Sequence, residues 1–284
     1  MTRISGFWPT DSTASCSPDV ASADGLVCAI HQPNLFPRLS TLAKLFTVDV
    51  WIVLDDVQFA RRDYQHRARL APAVGAPGPT RWLSIPTRLP AGRATLIRDV
   101  RMAEPVRSRR RTADLLREYY WTAPYWAAFK ERLDRLLDVF ERTDRTGIVA
   151  QESTLLLLSM VGWTGRVVVS SDLEASAGRS QRLADLCSAV GAGTYLCGTG
   201  GMRYVEPAVF DRAAIELRPF AVPNSGLWAG ASRTSAVAAL TAYGSQQLAE
   251  LMCRSLPGTG LHQEHGGLPL RASRRGSGGR ARAS

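Results

Sequence analysis

Residues 26–56 read LVCAIHQPNLFPRLSTLAKLFTVDVWIVLDD, and this segment sets the architecture. Leu26-Val27-Cys28-Ala29-Ile30 is a short apolar run of the kind that fills a buried strand. Pro33 and Pro37 then impose a fixed loop, because each locks its own φ and restricts the residue before it. From about Arg38, the residues Leu39, Leu42, Leu45 and Phe46 recur at helical spacing. Val50-Trp51-Ile52-Val53-Leu54 is a second buried strand. Strand, loop, helix and strand in this order form a βαβ unit, which predicts a parallel sheet.

A second α/β half follows much later. Arg166-Val167-Val168-Val169 reads as a strand closed by Ser170-Ser171, and Leu183, Leu186, Cys187 and Val190 mark one helical face. Thr194-Tyr195-Leu196-Cys197 is the next strand, with Gly198-Thr199-Gly200-Gly201 directly behind it. A helix at 207–213 and a strand at 215–220 complete the half. Between the halves, residues 67–70, 82–85 and 96–100 read as short β segments, and residues 71–80 as a loop. Three helices follow, at 109–120, 125–140 and 147–163. The predicted fold class is therefore α/β, a mainly parallel Rossmann-like sheet with flanking helices and a small β/helical insertion. Residues 1–24 read as a disordered leader, 25–244 as the α/β domain, and 245–284 as a low-complexity basic tail.

Composition agrees with a soluble globular protein: 284 residues, 45% hydrophobic and 21% charged. The uncharged stretch 153–165 is 13 residues long, and a helix across a bilayer needs about 20. No apolar core of a signal peptide appears in the first 24 residues. Five cysteines, an odd number without CxxC spacing, speak against a disulfide framework and fit a reducing cytoplasm. The net charge of +10 is uneven, since residues 254–284 hold six Arg against Glu264. Only Lys44 and Lys130 are lysines among 35 basic residues, a skew that reads as GC-rich coding. No aromatic residue interleaves with the tail arginines, so high-affinity nucleic-acid binding is not expected.

Ligands of open α/β sheets bind beyond the carboxyl ends of the strands. Three clusters occupy such ends: His31-Gln32-Pro33-Asn34, Asp55-Asp56-Val57-Gln58, and Gly198–Gly201. His31, pinned between a strand and two prolines, suits acid–base work, or equally a structural role bonded to loop carbonyls. One of Asp55 and Asp56 is expected to face a cleft, the other to cap the turn or face water. The glycines offer backbone N–H groups to an anion, although a tight strand-to-helix connection uses glycine too. Arg67 and Arg69 share one face of a strand and could grip an anionic substrate. The histidines form no HxxxH or HxH pattern, so no zinc site is expected.

Ile30-His31-Gln32-Pro33-Asn34-Leu35-Phe36-Pro37 resembles the HQPnYfP opening of the WbqC-like family. Asp49–Phe59 is similar to its second signature, and Arg67 to its following Asn-Arg element, with His66 in place of the Asn. Trp82–Pro86, Tyr119 with Pro124-Tyr125, Ser170-Ser171-Asp172-Leu173 and Tyr195–Tyr204 fit later motifs, so the match spans about 26–244. The residues after Gly244 depart from the family. The resemblance implies a cytoplasmic enzyme of surface-polysaccharide or natural-product pathways. Its implied activity is transfer of an aminoacyl group, glycyl in particular, to an amino sugar or related amine. A nucleotidylyl-transferase-like enzyme and a non-catalytic scaffold of such a pathway are the alternatives. The candidate set is His31, Asp55 and Asp56 for catalysis. Gln32, Asn34, Gln58, Arg67, Ser170, Ser171, Gly198, Gly200, Gly201 and Tyr204 are the candidates for substrate binding. The expected partner is a small or sugar-linked substrate with an aminoacyl donor; the residues name no cofactor.

Overall fold

The structure, a computed structural model, describes residues 25–72 and 78–256. The expected leader, the centre of the loop at 71–80 and the residues beyond 256 lie outside that range. In chain order the elements are β1 (Leu26–His31), α1 (Leu39–Phe46), β2 (Val50–Val53), β3 (Arg67–Leu70), β4 (Arg81–Ser84), β5 (Thr87–Arg88) and β6 (Arg101–Met102). Then come α2 (Pro105–Tyr120), α3 (Trp126–Leu137), α4 (Val139–Arg142), α5 (Thr146–Met160) and β7 (Arg166–Val169). The chain continues with α6 (Arg179–Ala189), β8 (Ala192–Gly198), α7 (Pro207–Arg212), β9 (Glu216–Phe220), α8 (Val237–Tyr243) and α9 (Ser245–Ser255).

The central sheet has the order β7-β2-β1-β8-β9, and every pairing in it is parallel. Its strands alternate between two cores, as the two-residue period of a pleat requires. Val27, Ala29, Trp51, Val53 and Leu196 pack towards α1 and the helices of the insertion. Cys28, Ile30, Val50, Ile52, Tyr195 and Cys197 pack on the other face, with residues of α6 and α7. Both faces are thus covered, which explains the near-continuous apolar strands. The chain first builds outward from β1 through β2 to β7, then crosses to β8 on the other side of β1. The gap between β1 and β8 is the topological switch point, the usual ligand position in such sheets.

The insertion holds two small antiparallel ribbons, β3-β4 and β5-β6, and helices α2–α5. Helix α5 is buried on nearly all sides, with Leu156, Leu157 and Leu158 each inaccessible. It also sets the proline loop: Ser153 Oγ accepts from Phe36 N (2.8 Å), and Thr154 Oγ1 donates to Asn34 O (2.9 Å). Phe36 sits at φ +40°, a backbone a bulky side chain adopts only when its surroundings enforce it.

Three expectations need correction. Residues 96–100 are not a strand. Ile97–Asp99 is a 3₁₀ turn, and it places Ile97 and Val100, three apart, together against Phe59. The helix at 125–140 is divided at Asp138 into α3 and α4. The third correction concerns the C-terminal boundary, because α9 lies where the tail was expected to begin. Gly244, at φ +79°, turns the chain from α8 into α9, and a Cβ there would meet the Tyr125 ring at 2.7 Å. Leu248, Ala249, Met252 and Cys253 of α9 are buried in the main core.

Candidate functional site

The carboxyl ends of β7, β2, β1 and β8 follow one another along one rim. This brings Ser170-Ser171, Asp55-Asp56, His31 and Gly198–Gly201 into a row, in that order. The row divides into two networks with different chemistry.

The first is acidic and spans β2 and β7. Ser171 N and Ser171 Oγ donate to the Asp55 carboxylate at 3.2 and 3.0 Å, and Asp55 N donates to Ser170 Oγ (3.2 Å). Ser170 Oγ in turn donates to Asp56 Oδ1 (2.5 Å), while Arg182 of α6 pairs with Asp56 Oδ2. Burial pushes the Asp55 carboxyl above the ordinary carboxylate range, against the pull of its serine donors. Burial pushes Asp56 upward too, but Ser170 and Arg182 outweigh it and hold Asp56 below that range. Both carboxylates therefore have their partners within the protein, and neither shares a hydrogen bond with the His31 ring.

The second network is basic and spans β1, α1 and the end of β8. His31 Nδ1 lies 2.7 Å from Gln32 O. A carbonyl only accepts, so Nδ1 carries the proton and Nε2 is left as a lone-pair acceptor. The His31 backbone carbonyl is held by Trp51 Nε1 (3.1 Å) and Leu54 N (3.0 Å). Burial, then the charges of Lys44 and Arg38, lower the His31 pKa to about 3, so the ring is neutral. Lys44 is only 6% exposed, and its amine makes no hydrogen bond or ion pair among the described residues. Burial lowers its pKa to about 8; the thiols of Cys197 and Cys28 act against this and Arg38 with it. Lys44 Nζ lies 3.9 Å from where Gly198 would carry a Cβ. At Gly201 a Cβ would strike Cys197 Sγ at 2.6 Å, so a glycine is required for the chain to turn there.

The remaining candidates are placed elsewhere or used locally. Gln32 Oε1 accepts from Gln65 Nε2 (2.7 Å), which ties the loop after β1 to the loop before β3. Asn34 is buried, its carbonyl bonded to α5 and its side-chain Oδ1 without a partner among the described residues. Gln58 reaches the insertion instead, donating to Arg93 O. Arg67 bonds the carbonyls of Asp63 and Arg62 and stacks over Trp82 at 4.3 Å, so its guanidinium is occupied outside the row. Tyr204 is exposed, with Arg179 over its ring. Gly200 has open space about it. Among the described residues no three His, Cys, Asp or Glu side chains gather as a metal-binding set.

Lys44 and Arg38 were not singled out from the sequence, although a signal existed. Lys44 interrupts the apolar face Leu42-Ala43-Leu45-Phe46, and no acid stands three or four residues away on either side. A lysine so placed has no local salt bridge to excuse its burial.

Comparison with known proteins agrees with the motifs read at these strand ends. The uncharacterized protein Rv1507c of Mycobacterium tuberculosis is 27% identical over 204 residues, covering 68% of this chain and 80% of that protein. No solved structure matches significantly. The WbqC-like protein family matches residues 32–225, a span that begins in the loop after β1 and contains the ends of β2, β7 and β8. By that match over more than half its length, the chain belongs to the WbqC-like protein family.

Proposed function

We propose that the chain is a transferase of surface-polysaccharide or natural-product assembly. It would move an aminoacyl group, glycyl in the first instance, from an activated donor to the amine of an amino sugar or related small molecule. The observation that carries this reading is the state of His31. Its Nδ1 proton is committed to Gln32 O, and Nε2 remains an acceptor at the switch point of the sheet.

In the transfer step the amine nitrogen attacks the acyl carbonyl carbon, and a C–N bond forms. The C–O bond to the donor breaks, and the donor leaves as its hydroxyl form. His31 Nε2 takes the amine proton and returns it to the departing oxygen, so the ring ends as it began. With its pKa near 3 the free ring is a weak base. An anionic donor beside Lys44 and Arg38 would offset the two charges that depress it, and basicity would rise as substrate binds. Asp55 and Asp56, already engaged by Ser170, Ser171 and Arg182, act as the brace between β2 and β7 and take no proton in this scheme.

Incubation of the protein with glycyl donors and a panel of amino sugars should give products heavier by one glycyl residue in mass spectra. His31→Gln should abolish the product without loss of fold. Pyrophosphate release from a nucleoside triphosphate, with no acyl product, would replace this reading by nucleotidylyl transfer. Absence of turnover with every donor class would favour the scaffold.

A further inference from the structure

We propose that Lys44, Arg38 and the glycine segment behind β8 form a binding site for one compact oxyanion, a phosphate or carboxylate group of the substrate, seated beside His31. The inference deepens the transferase reading by giving its donor an anionic handle, and it takes its choice of site from that reading.

Three observations carry it. First, Lys44 is 6% exposed as a residue, yet its amine, which is not among the fully enclosed atoms, has no partner among the described residues. Lysine is rarely buried without an acceptor, because the ammonium loses its hydration and gains nothing in return. Second, the guanidinium and ammonium charges bearing on this corner are positive, and only the Cys197 and Cys28 thiols act against them. Those acting on Lys44 are Arg38 and the thiols of Cys197 and Cys28; those acting on His31 are Lys44 and Arg38. The carboxylates of the rim, Asp55 and Asp56, are bound to serines and Arg182 on the far side of β1. Arg38 also keeps its Nε buried without a partner among the described residues, while Nη1 bonds Ser232 O (3.1 Å) and the guanidinium covers Tyr64 at 4.4 Å. Third, the end of β8 runs past the Lys44 amine at Gly198. A Cβ on Gly198 would lie 3.9 Å from Lys44 Nζ, Gly200 meets nothing within 4 Å, and the Gly200 amide donates to no acceptor among the described residues. An ammonium, a guanidinium N–H and a backbone amide without a recorded acceptor are the complement of a small oxyanion.

The test is binding, read without turnover. Inorganic phosphate and acetate are titrated separately into the full chain at constant ionic strength, with chloride as the reference. At least one should bind saturably, and the arm that does so tells phosphate from carboxylate. Lys44→Met should weaken that binding at least tenfold, and Arg38→Gln by a smaller factor. The wild-type chain supplies a second readout, since Lys44 and Lys130 are its two lysines. The bound anion should slow acylation of Lys44 by an amine reagent at least fivefold, while the exposed Lys130 is labelled at the same rate. No saturable binding of either anion beyond chloride, undiminished affinity in Lys44→Met, or equal labelling of Lys44 with and without anion would overturn the site. Anion binding without glycyl transfer would sink the proposed chemistry alone; transfer without anion protection of Lys44 would sink this site alone.

Discussion

The two halves of the rim use opposite strategies for polar groups taken from water. On the β2–β7 side, two adjacent carboxylates are enclosed by two serines and an arginine, and the network closes on itself. On the β1–β8 side, a buried lysine and a half-buried, neutral histidine have no acid beside them among the described residues. A closed network stabilises the fold and has little left for a ligand. An open one costs stability in the empty protein and regains it when a ligand arrives. Residue type alone does not tell the two apart: Asp-Asp beside Ser-Ser finds its partners within the protein, whereas the inconspicuous lysine has none among the described residues.

If this contrast holds, loss of one partner from the acidic half should have the largest effect on stability. Asp56→Ala leaves Arg182 and Ser170 without their acceptor in a partly buried place, and chemical denaturation should show a loss of about 2–3 kcal/mol. A loss within experimental error would mean that the network is solvent-relaxed and the contrast false.

Acid comes next. His31 titrates near 3 when folded and at 6.5 in the unfolded chain, so the unfolded chain binds the extra proton between those values. Its contribution is complete above pH 6.5 and falls as pH drops, by about 1.4 kcal/mol per unit and about 2 kcal/mol by pH 5. His66, also held low by burial, acts in the same direction. Asp55 has the opposite sign: its raised pKa makes the folded chain the better proton acceptor in the carboxylate range. Melting temperatures from pH 7 to 5 should decline in the wild type and decline less in His31→Gln; parallel curves would refute the assignment.

Lys44→Met should be neutral or gain about 1 kcal/mol in the empty protein, because it removes an unpaired buried amine. A substantial fall in melting temperature would show that Lys44 belongs to a closed network after all. The smallest effect is expected at Arg67→Ala. Loss of its contact with Trp82 should cost about 0.5–1 kcal/mol, and affinity for the anion should stay within twofold.

The parallel sheet was legible because 26–56 spells a complete βαβ unit, and the strand ends that carry His31, Asp55 and Gly198 could be placed from it. Their grouping on neighbouring strands followed from topology. What each group does with its charge did not, since Asp56 is answered by Arg182, 126 residues away. The insertion was read less well where spacing was short: Ile97 and Val100 bury together in a 3₁₀ turn that imitates a strand in composition. The C-terminal helices escaped for another reason. Helix α8 buries Val237, Ala238, Ala239 and Leu240, and alanines give little hydrophobic contrast. The stripe of α9, Leu248 with Met252 and Ala249 with Cys253, lay beside a Gly- and Arg-rich segment that dominated the composition.

The left-handed backbone of Phe36 has a consequence for the order of assembly. Its amide is held by Ser153, 117 residues further along the chain, and Asn34 is held by Thr154. During synthesis β1, α1 and β2 can pair early, and Tyr64 and Gln65 can hold Leu35 and Gln32, but Asn34 and Phe36 lack their Thr154 and Ser153 partners until α5 has emerged and docked. Contacts between segments so distant close late and slow the search for the native state. The first rim segment to be synthesised thus waits for α5, which contributes no residue to the row of strand ends, before its backbone is set.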